Sequence, residues 1–217
     1  GCCNFCRGAV NDGYPRCPRC HPYPPVLRAV VPITYSVDFG LESLLHRYKD
    51  GQGYAWARRV LGSVLWEFLT RHLGCIEDAY GDIDLATTIP SANVERSFHP
   101  MRRAIGFIEE SEWNVDWVDD LVTYVGPQRP ERGQLLPEAY TVPVPARVHG
   151  RTILLVDDTW TSGSTVASAA ACLRHHGARA VIALPIGRQL HAGFGTADDL
   201  IRDARNSPFD IERCVLC

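Results

Sequence analysis

Lysine is almost missing from this chain of 217 residues: Lys49 is the one lysine among 22 basic side chains, and the rest are arginine. That bias carries no functional message by itself. No run of eighteen apolar residues occurs, so no membrane-spanning helix is expected. The first residues are cysteine-rich and lack the basic-then-apolar pattern of a secretion signal, which points to the cytoplasm. The formal net charge is only −3, so there is no global electrostatic drive towards nucleic acid or an anionic membrane. A Gly-Lys-Ser/Thr triplet is missing as well, which excludes a Walker-type nucleotide loop. An apolar fraction of 46% remains, enough to build the core of one α/β domain with a small appendage.

Cysteine is abundant by contrast. Nine are present, an odd number, and in a cytoplasmic protein that favours metal ligation over a disulfide framework. Cys3-Asn-Phe-Cys6 and Cys17-Pro-Arg-Cys20 are two Cys-x-x-Cys knuckles with ten residues between them. Four thiolates at this spacing close a tetrahedral shell around zinc. Gly8, Gly13 and Pro15 suit the turns between the knuckles, and so few apolar residues accompany them that a metal staple makes physical sense. Residues 1–25 therefore read as a zinc ribbon, with Cys2 an alternative to Cys3 and His21 an alternative to Cys20. Four arginines (Arg7, Arg16, Arg19 and Arg28) face one acid, Asp12, in this region. They read either as a solvated surface, the preferred reading, or as a contact for nucleic acid. The pair Cys214-Val-Leu-Cys217 does not complete a metal site by itself. It closes a second site, shares ligands with Cys2, or belongs to a partly buried C-terminal strand with unligated thiols. The strand is preferred, because a lone pair has little specificity.

The stretch Thr152-Ile-Leu-Leu-Val-Asp-Asp-Thr-Trp-Thr-Ser-Gly-Ser-Thr165 organises the rest. The apolar run 153–156 reads as a buried parallel strand. The acids Asp157 and Asp158 follow it, then Thr161, Ser162, Gly163, Ser164 and Thr165. Apolar residues at helical spacing come next, closed by Gly177. A loop feeding a helix N-terminus presents unpaired amides and partial positive charge to an anion. Gly163 permits close approach, and the hydroxyls add donors. Two carboxylates would repel a phosphate, but they suit ribose hydroxyls or a magnesium ion held through them. A phosphate cradle beside a diol site describes a ribose 5-phosphate.

Around this motif, strands are expected over 26–35, 83–89, 121–125 and 179–187. Helices are expected over 36–48 (with Asp38-Phe-Gly at its cap), 54–74, 100–109 and 196–205. Alternation of this kind predicts a parallel sheet with helices on both faces. Ligands would then bind at the carboxyl ends of the strands. The polar stretch 125–137, with Pro127, Pro130, Gly133 and Pro137, is long for a connection and reads as a lid.

The central motif resembles the phosphoribosyl pyrophosphate (PRPP) signature of type I phosphoribosyltransferases. Thr161-Ser-Gly-Ser-Thr165 stands where Thr-Gly-Gly-Thr or Thr-Thr-Gly-Ala-Thr is usual. More widely, the chain resembles the competence protein F family of orphan phosphoribosyltransferases, which joins a four-cysteine ribbon to a type I domain. Leu45-His-Arg-Tyr-Lys-Asp-Gly is similar to that family's Lys-Tyr-x-Gly-Asp segment. Ile89-Pro-Ser-Ala-Asn-Val-Glu-Arg-Ser-Phe-His is similar to its Val-Pro loop and Arg-Gly-Phe-Asn-Gln run, with Ser97 in place of the glycine and His99 in place of the asparagine. The resemblance implies a type I phosphoribosyltransferase-like domain over 26–217 after the ribbon. Asp157 and Asp158 would be its ribose- and magnesium-binding acids, and Thr161, Ser162, Gly163, Ser164 and Thr165 its phosphate loop. It puts Ser91, Ala92, Asn93 and Arg96 at pyrophosphate, and Arg129 and Arg132 on the lid. Three activities fit: transfer of phosphoribosyl to an unidentified acceptor, PRPP sensing without turnover, and binding of a nucleotide or single-stranded nucleic acid linked to DNA uptake. Glutamine-dependent amide transfer is not expected, because a glutaminase needs a further domain.

Overall fold

Period-two alternation along two neighbouring strands sets the architecture. The computed structural model describes residues 1–37, 41–50, 53–91, 98–194 and 196–217. In chain order its elements are β1 (Ala29–Val30), β2 (Thr34–Ser36), α1 (Leu41–Arg47), α2 (Ala55–Tyr80), β3 (Leu85–Thr88), α3 (Pro100–Ile105), β4 (Thr123–Tyr124), β5 (Tyr140–Thr141), β6 (Thr152–Trp160), α4 (Ser164–His175), β7 (Ala180–Gln189) and α5 (Ala197–Asn206). β3, β6 and β7 lie side by side and parallel, and β1 and β2 both pair with the outer side of β7. The expected single strand over 26–35 is thus two short pieces. They are interrupted at Pro32, which has no N–H to give to a ladder. β4 and β5 form a separate antiparallel pair framing 125–137.

Ile153 and Leu155 of β6 face one way and join Val166, Ala169, Ala170 and Leu173 of α4 in one core. Leu154 and Val156 face the other way and meet Leu61, Leu65, Phe68 and Leu69 of α2. Successive strand residues point to opposite faces, so a strand apolar throughout requires cover on both sides. The two helices supply it.

Two boundaries differ from expectation, each for a local reason. β6 continues through both acids to Trp160, because Asp157, Thr159 and Trp160 still pair with Pro185, Gly187 and Arg188 of β7. α2 passes the expected stop at Gly74 and ends at Tyr80, followed by Gly81, whose positive φ of 92° favours glycine. Gly74 lies inside the helix with open space where a Cβ would stand. The residues after α5 run as bends and turns, so no C-terminal strand forms. That tail packs Ile211, Cys214 and Leu216 onto the α2 side of the core and finds no sheet edge to join. The expected cap at Asp38-Phe39-Gly40 lies outside the described residues. Among the described residues no helix is long and apolar enough to cross a membrane.

The cysteine-rich segment is sewn to the sheet by one cation. Arg188, buried at the end of β7, donates from Nε to the Cys6 carbonyl at 2.9 Å and from a terminal nitrogen to the Trp160 carbonyl at 3.1 Å. A Cβ on Gly8 would stand 2.0 Å from the Arg188 guanidinium, so this turn accepts only glycine without rearrangement.

Candidate functional site

A cavity of about 510 Å³ opens where β6 ends, and both acids and the whole of 161–165 line it. This is the position at which parallel sheets bind ligands. Asp157 and Asp158 are adjacent on the last turns of the strand but are held differently. Asp158 is ion-paired to Lys49 at 2.6 Å and accepts a hydrogen bond from the Tyr48 hydroxyl. The Asp157 Oδ1 accepts from the Asp158 amide at 2.8 Å. Burial, and then the neighbouring charge of Asp158, push the Asp157 carboxyl up to about 7, against the pull of Lys49. Desolvation and like charge both disfavour a carboxylate. The lone lysine of the chain therefore sits at the acid pair, with its ammonium on Asp158.

The loop after β6 is shaped by Trp160. Gly163 has φ 83°, and a Cβ there would lie 2.2 Å from the Trp160 ring. Both the left-handed backbone and the contact require glycine. Gly163 is also the residue from which α4 starts, and the one described capping contact in its first turn is a long hydrogen bond from the Ser164 amide to the Ser162 hydroxyl at 3.4 Å. No described group accepts a hydrogen bond from the amides of Gly163, Thr165 or Val166, the orphan donors that a helix start offers an anion. The hydroxyls divide into two sets. Thr161 donates to the Gln189 side chain at 2.8 Å, and Gln189 in turn donates to Glu42 at 2.9 Å. Ser164 is buried and engaged on three sides, by Tyr23 at 3.3 Å, Ser162 at 3.1 Å and the Gly133 amide at 2.8 Å. Its hydroxyl thus ties the segment after the ribbon, the loop and the lid region to one another. Leu136 adds a second tie by donating its amide to Ser168.

Of the remaining expected residues, Ser91 and Arg129 line the cavity and Arg132 does not. Ala92, Asn93 and Arg96 lie outside the described residues. His99 replaces an asparagine of the resembled motif, yet it does what asparagine does at a helix start. Its Nδ1 accepts from the Arg102 amide at 3.2 Å, capping α3, while Nε2 donates to the Ile89 carbonyl at 2.9 Å. Burial lowers the His99 pKa, consistent with a neutral ring in that role.

Sequence reasoning assigned no role to Tyr48, Lys49, Gln189 or Arg58. Arg58 is buried and donates to the carbonyls of Tyr48 and Asp50 at 3.0 and 2.8 Å, fixing the segment that carries Lys49. One signal was available: a single lysine inside Leu45-His-Arg-Tyr-Lys-Asp-Gly.

In the ribbon, Cys3, Cys6, Cys17 and Cys20 are all buried, and their sulfurs lie within 4.8 Å of one another. Cys2 and His21 stand outside this group. Hydrogen bonds from Cys17, Cys20 and Cys6 pull the Cys3 thiol far below its ordinary range. Hydrogen bonds with Cys17, Cys3 and Cys6 push that of Cys20 far above it. Four sulfurs competing for protons in this way match the donor set of a structural zinc ion, under which all become thiolates. Of the ribbon arginines, Arg16 and Arg19 lie over the rings of Phe5 and Phe194.

No family model and no curated protein matches this chain. Among solved structures with a similar trace is an allosteric regulatory enzyme of purine biosynthesis, 16% identical with a TM-score of 0.45, over 77% of this chain and 37% of that one. Another is a hypoxanthine phosphoribosyltransferase from Staphylococcus aureus, 12% identical with a TM-score of 0.35, over 73% and 80% respectively. The chain thus spans little more than a third of the length of the first. At such scores neither likeness speaks to ligand or activity.

Proposed function

We propose that the chain binds PRPP in this cavity and transfers its 5-phosphoribosyl group to a nucleophilic acceptor, releasing pyrophosphate. The observation that carries the proposal is the union, in one cavity, of a carboxylate pair with a glycine-centred hydroxyl loop that opens a helix. The resemblance of its central motif to the PRPP signature supports the same reading.

The 5-phosphate would sit on the amides of 162–166, at the positive end of α4. Asp157 and Asp158 would accept hydrogen bonds from the ribose hydroxyls, most strongly when both are ionised. Magnesium suits the same place, because two crowded carboxylates supply hard oxygen donors and gain from a facing cation. When bound it would neutralise pyrophosphate charge. Lys49 and Arg129 would add positive charge along the same wall. As the bond from ribose C1 to pyrophosphate breaks, the electron pair leaves with pyrophosphate and the acceptor's lone pair forms the new bond. Positioning and charge stabilisation would supply most of the rate.

Isothermal titration with PRPP, with and without magnesium, tests the reading. Micromolar binding that strengthens with magnesium supports it and justifies screening acceptors by pyrophosphate release. No heat in either condition would sink it.

A further inference from the structure

The chain carries a second cluster of four metal-type ligands, assembled from residues far apart in sequence: His72, Cys75, Cys214 and Cys217. One ligand atom from each lies within 4.8 Å of the other three. Tetrahedral zinc with bonds of about 2.3 Å to sulfur sets its sulfurs about 3.7 Å apart. With a bond of about 2.05 Å to nitrogen the corresponding sulfur–nitrogen separation is about 3.5 Å; the 3.6 Å from Cys217 and 3.8 Å from Cys75 to His72 Nδ1 lie close to it, and the Cys214–Cys217 separation of 3.2 Å is somewhat shorter than the sulfur–sulfur value.

Each half of the cluster is prepared by its own element. His72 and Cys75 are three residues apart on α2, a spacing that puts side chains on one face of a helix. The other two come from a Cys-x-x-Cys turn, in which the Leu216 amide donates to the Cys214 sulfur at 3.3 Å. The imidazole is oriented as a ligand must be. His72 is buried, and its Nε2 lies 2.8 Å from the Ile211 carbonyl. A carbonyl can only accept, so the proton is on Nε2 and Nδ1 turns a lone pair to the three sulfurs. A backbone carbonyl on the far nitrogen is the usual partner of a metal-bound histidine.

We infer that His72, Cys75, Cys214 and Cys217 form a second structural zinc site, which fastens the C-terminal tail to α2. Three sulfurs and one imidazole are a closed zinc donor set, with no position left for chemistry. The site lies about 21–26 Å along the helix from Arg58, which braces the cavity wall, so it acts on the fold and not on the cavity. It also explains how a tail without helix or strand keeps its place. Besides the ion, its ties among the described residues are the apolar packing of Ile211 and Leu216, the His72–Ile211 hydrogen bond, the exposed Arg71–Glu212 pair, and a long hydrogen bond from Arg7 to the Val215 carbonyl. The competing use of the same atoms is a disulfide between Cys214 and Cys217.

The test is the zinc content of the purified full-length protein, by elemental analysis together with native mass spectrometry without reductant. Two zinc ions per chain are expected, falling to one in Cys217→Ser, with the N-terminal ion retained. One zinc in both wild type and variant overturns the site, as does a wild-type mass lighter by the two hydrogens of a disulfide. If Cys217→Ser loses both ions, the milder His72→Cys decides, because it keeps four ligands. After cobalt(II) substitution, a spectrum shifted towards all-thiolate coordination supports the site, and an unchanged spectrum rejects it.

Discussion

The four-cysteine ribbon and the acid pair at the end of β6 are both crowds of like groups, and the molecule treats them in opposite ways. The thiols are buried together and clipped to β7 by Arg188, around a centre suited to one permanent cation. The carboxylates are left at a cavity wall. Asp158 is answered by Lys49, and Asp157 is held up near 7 by burial and its neighbour. The first crowd contributes stability once an ion joins it. The second keeps an unrelieved charge that a dissociable ligand can relieve. Removing a ribbon cysteine and removing Asp157 should therefore change stability with opposite signs.

The largest effect is expected from Cys17→Ser. Loss of one ligand should release the zinc and loosen the segment that shares a core with α4. Structural zinc contributes several kcal/mol, so the melting temperature should fall by roughly 10 °C or more; an unchanged metal content and melting curve would erase the contrast. Next comes Asp158→Asn. PRPP affinity should drop at least a hundredfold while the circular dichroism spectrum stays native, and equal binding by variant and wild type would remove the ribose assignment.

The smallest and sharpest effect concerns Asp157. Its folded pKa is raised, so the folded state holds an extra proton between about pH 4 and pH 7. The stability this group contributes is present at the acidic end of that window and is lost as pH rises through 7. Asp157→Asn should thus raise the melting temperature at pH 8 by about 2–4 °C, roughly 1 kcal/mol, while weakening PRPP. Wild-type PRPP affinity should rise as pH passes 7, and the variant's should not. A variant less stable than wild type at pH 8 would show that the acid is not strained.

The same contrast explains what could be read from the chain alone. The ribbon was legible because its four ligands lie within eighteen residues at knuckle spacing, and the phosphate loop because strand, acids and hydroxyls are contiguous. The sheet followed from the apolar run 153–156, which demands cover on two faces. The second cysteine cluster was not legible, and one glycine is the reason. Ending the helix at Gly74 leaves Cys75 outside it, so the three-residue step from His72 has no helical face to lie on. Only the helix that continues to Tyr80 presents the pair, and only the tertiary fold brings residues 214–217 to it. Lys49 escaped for a similar reason. Its partner Asp158 is over a hundred positions away, and local pattern cannot report a contact of that range. Ser164 stands in the phosphate loop and lines the cavity, and its hydroxyl is also engaged with Tyr23, Ser162 and Gly133, contacts that local pattern does not report.

The solitary lysine has a practical consequence. In a chain whose other Lys/Arg side chains are all guanidinium groups, an amine-directed reagent meets one side-chain target besides the Gly1 amine, and that target rests on a carboxylate of the cavity. A fluorophore coupled there would convert occupancy of the cavity into an optical signal. Protection from coupling would give a footprint of whatever molecule fills it, acceptor included.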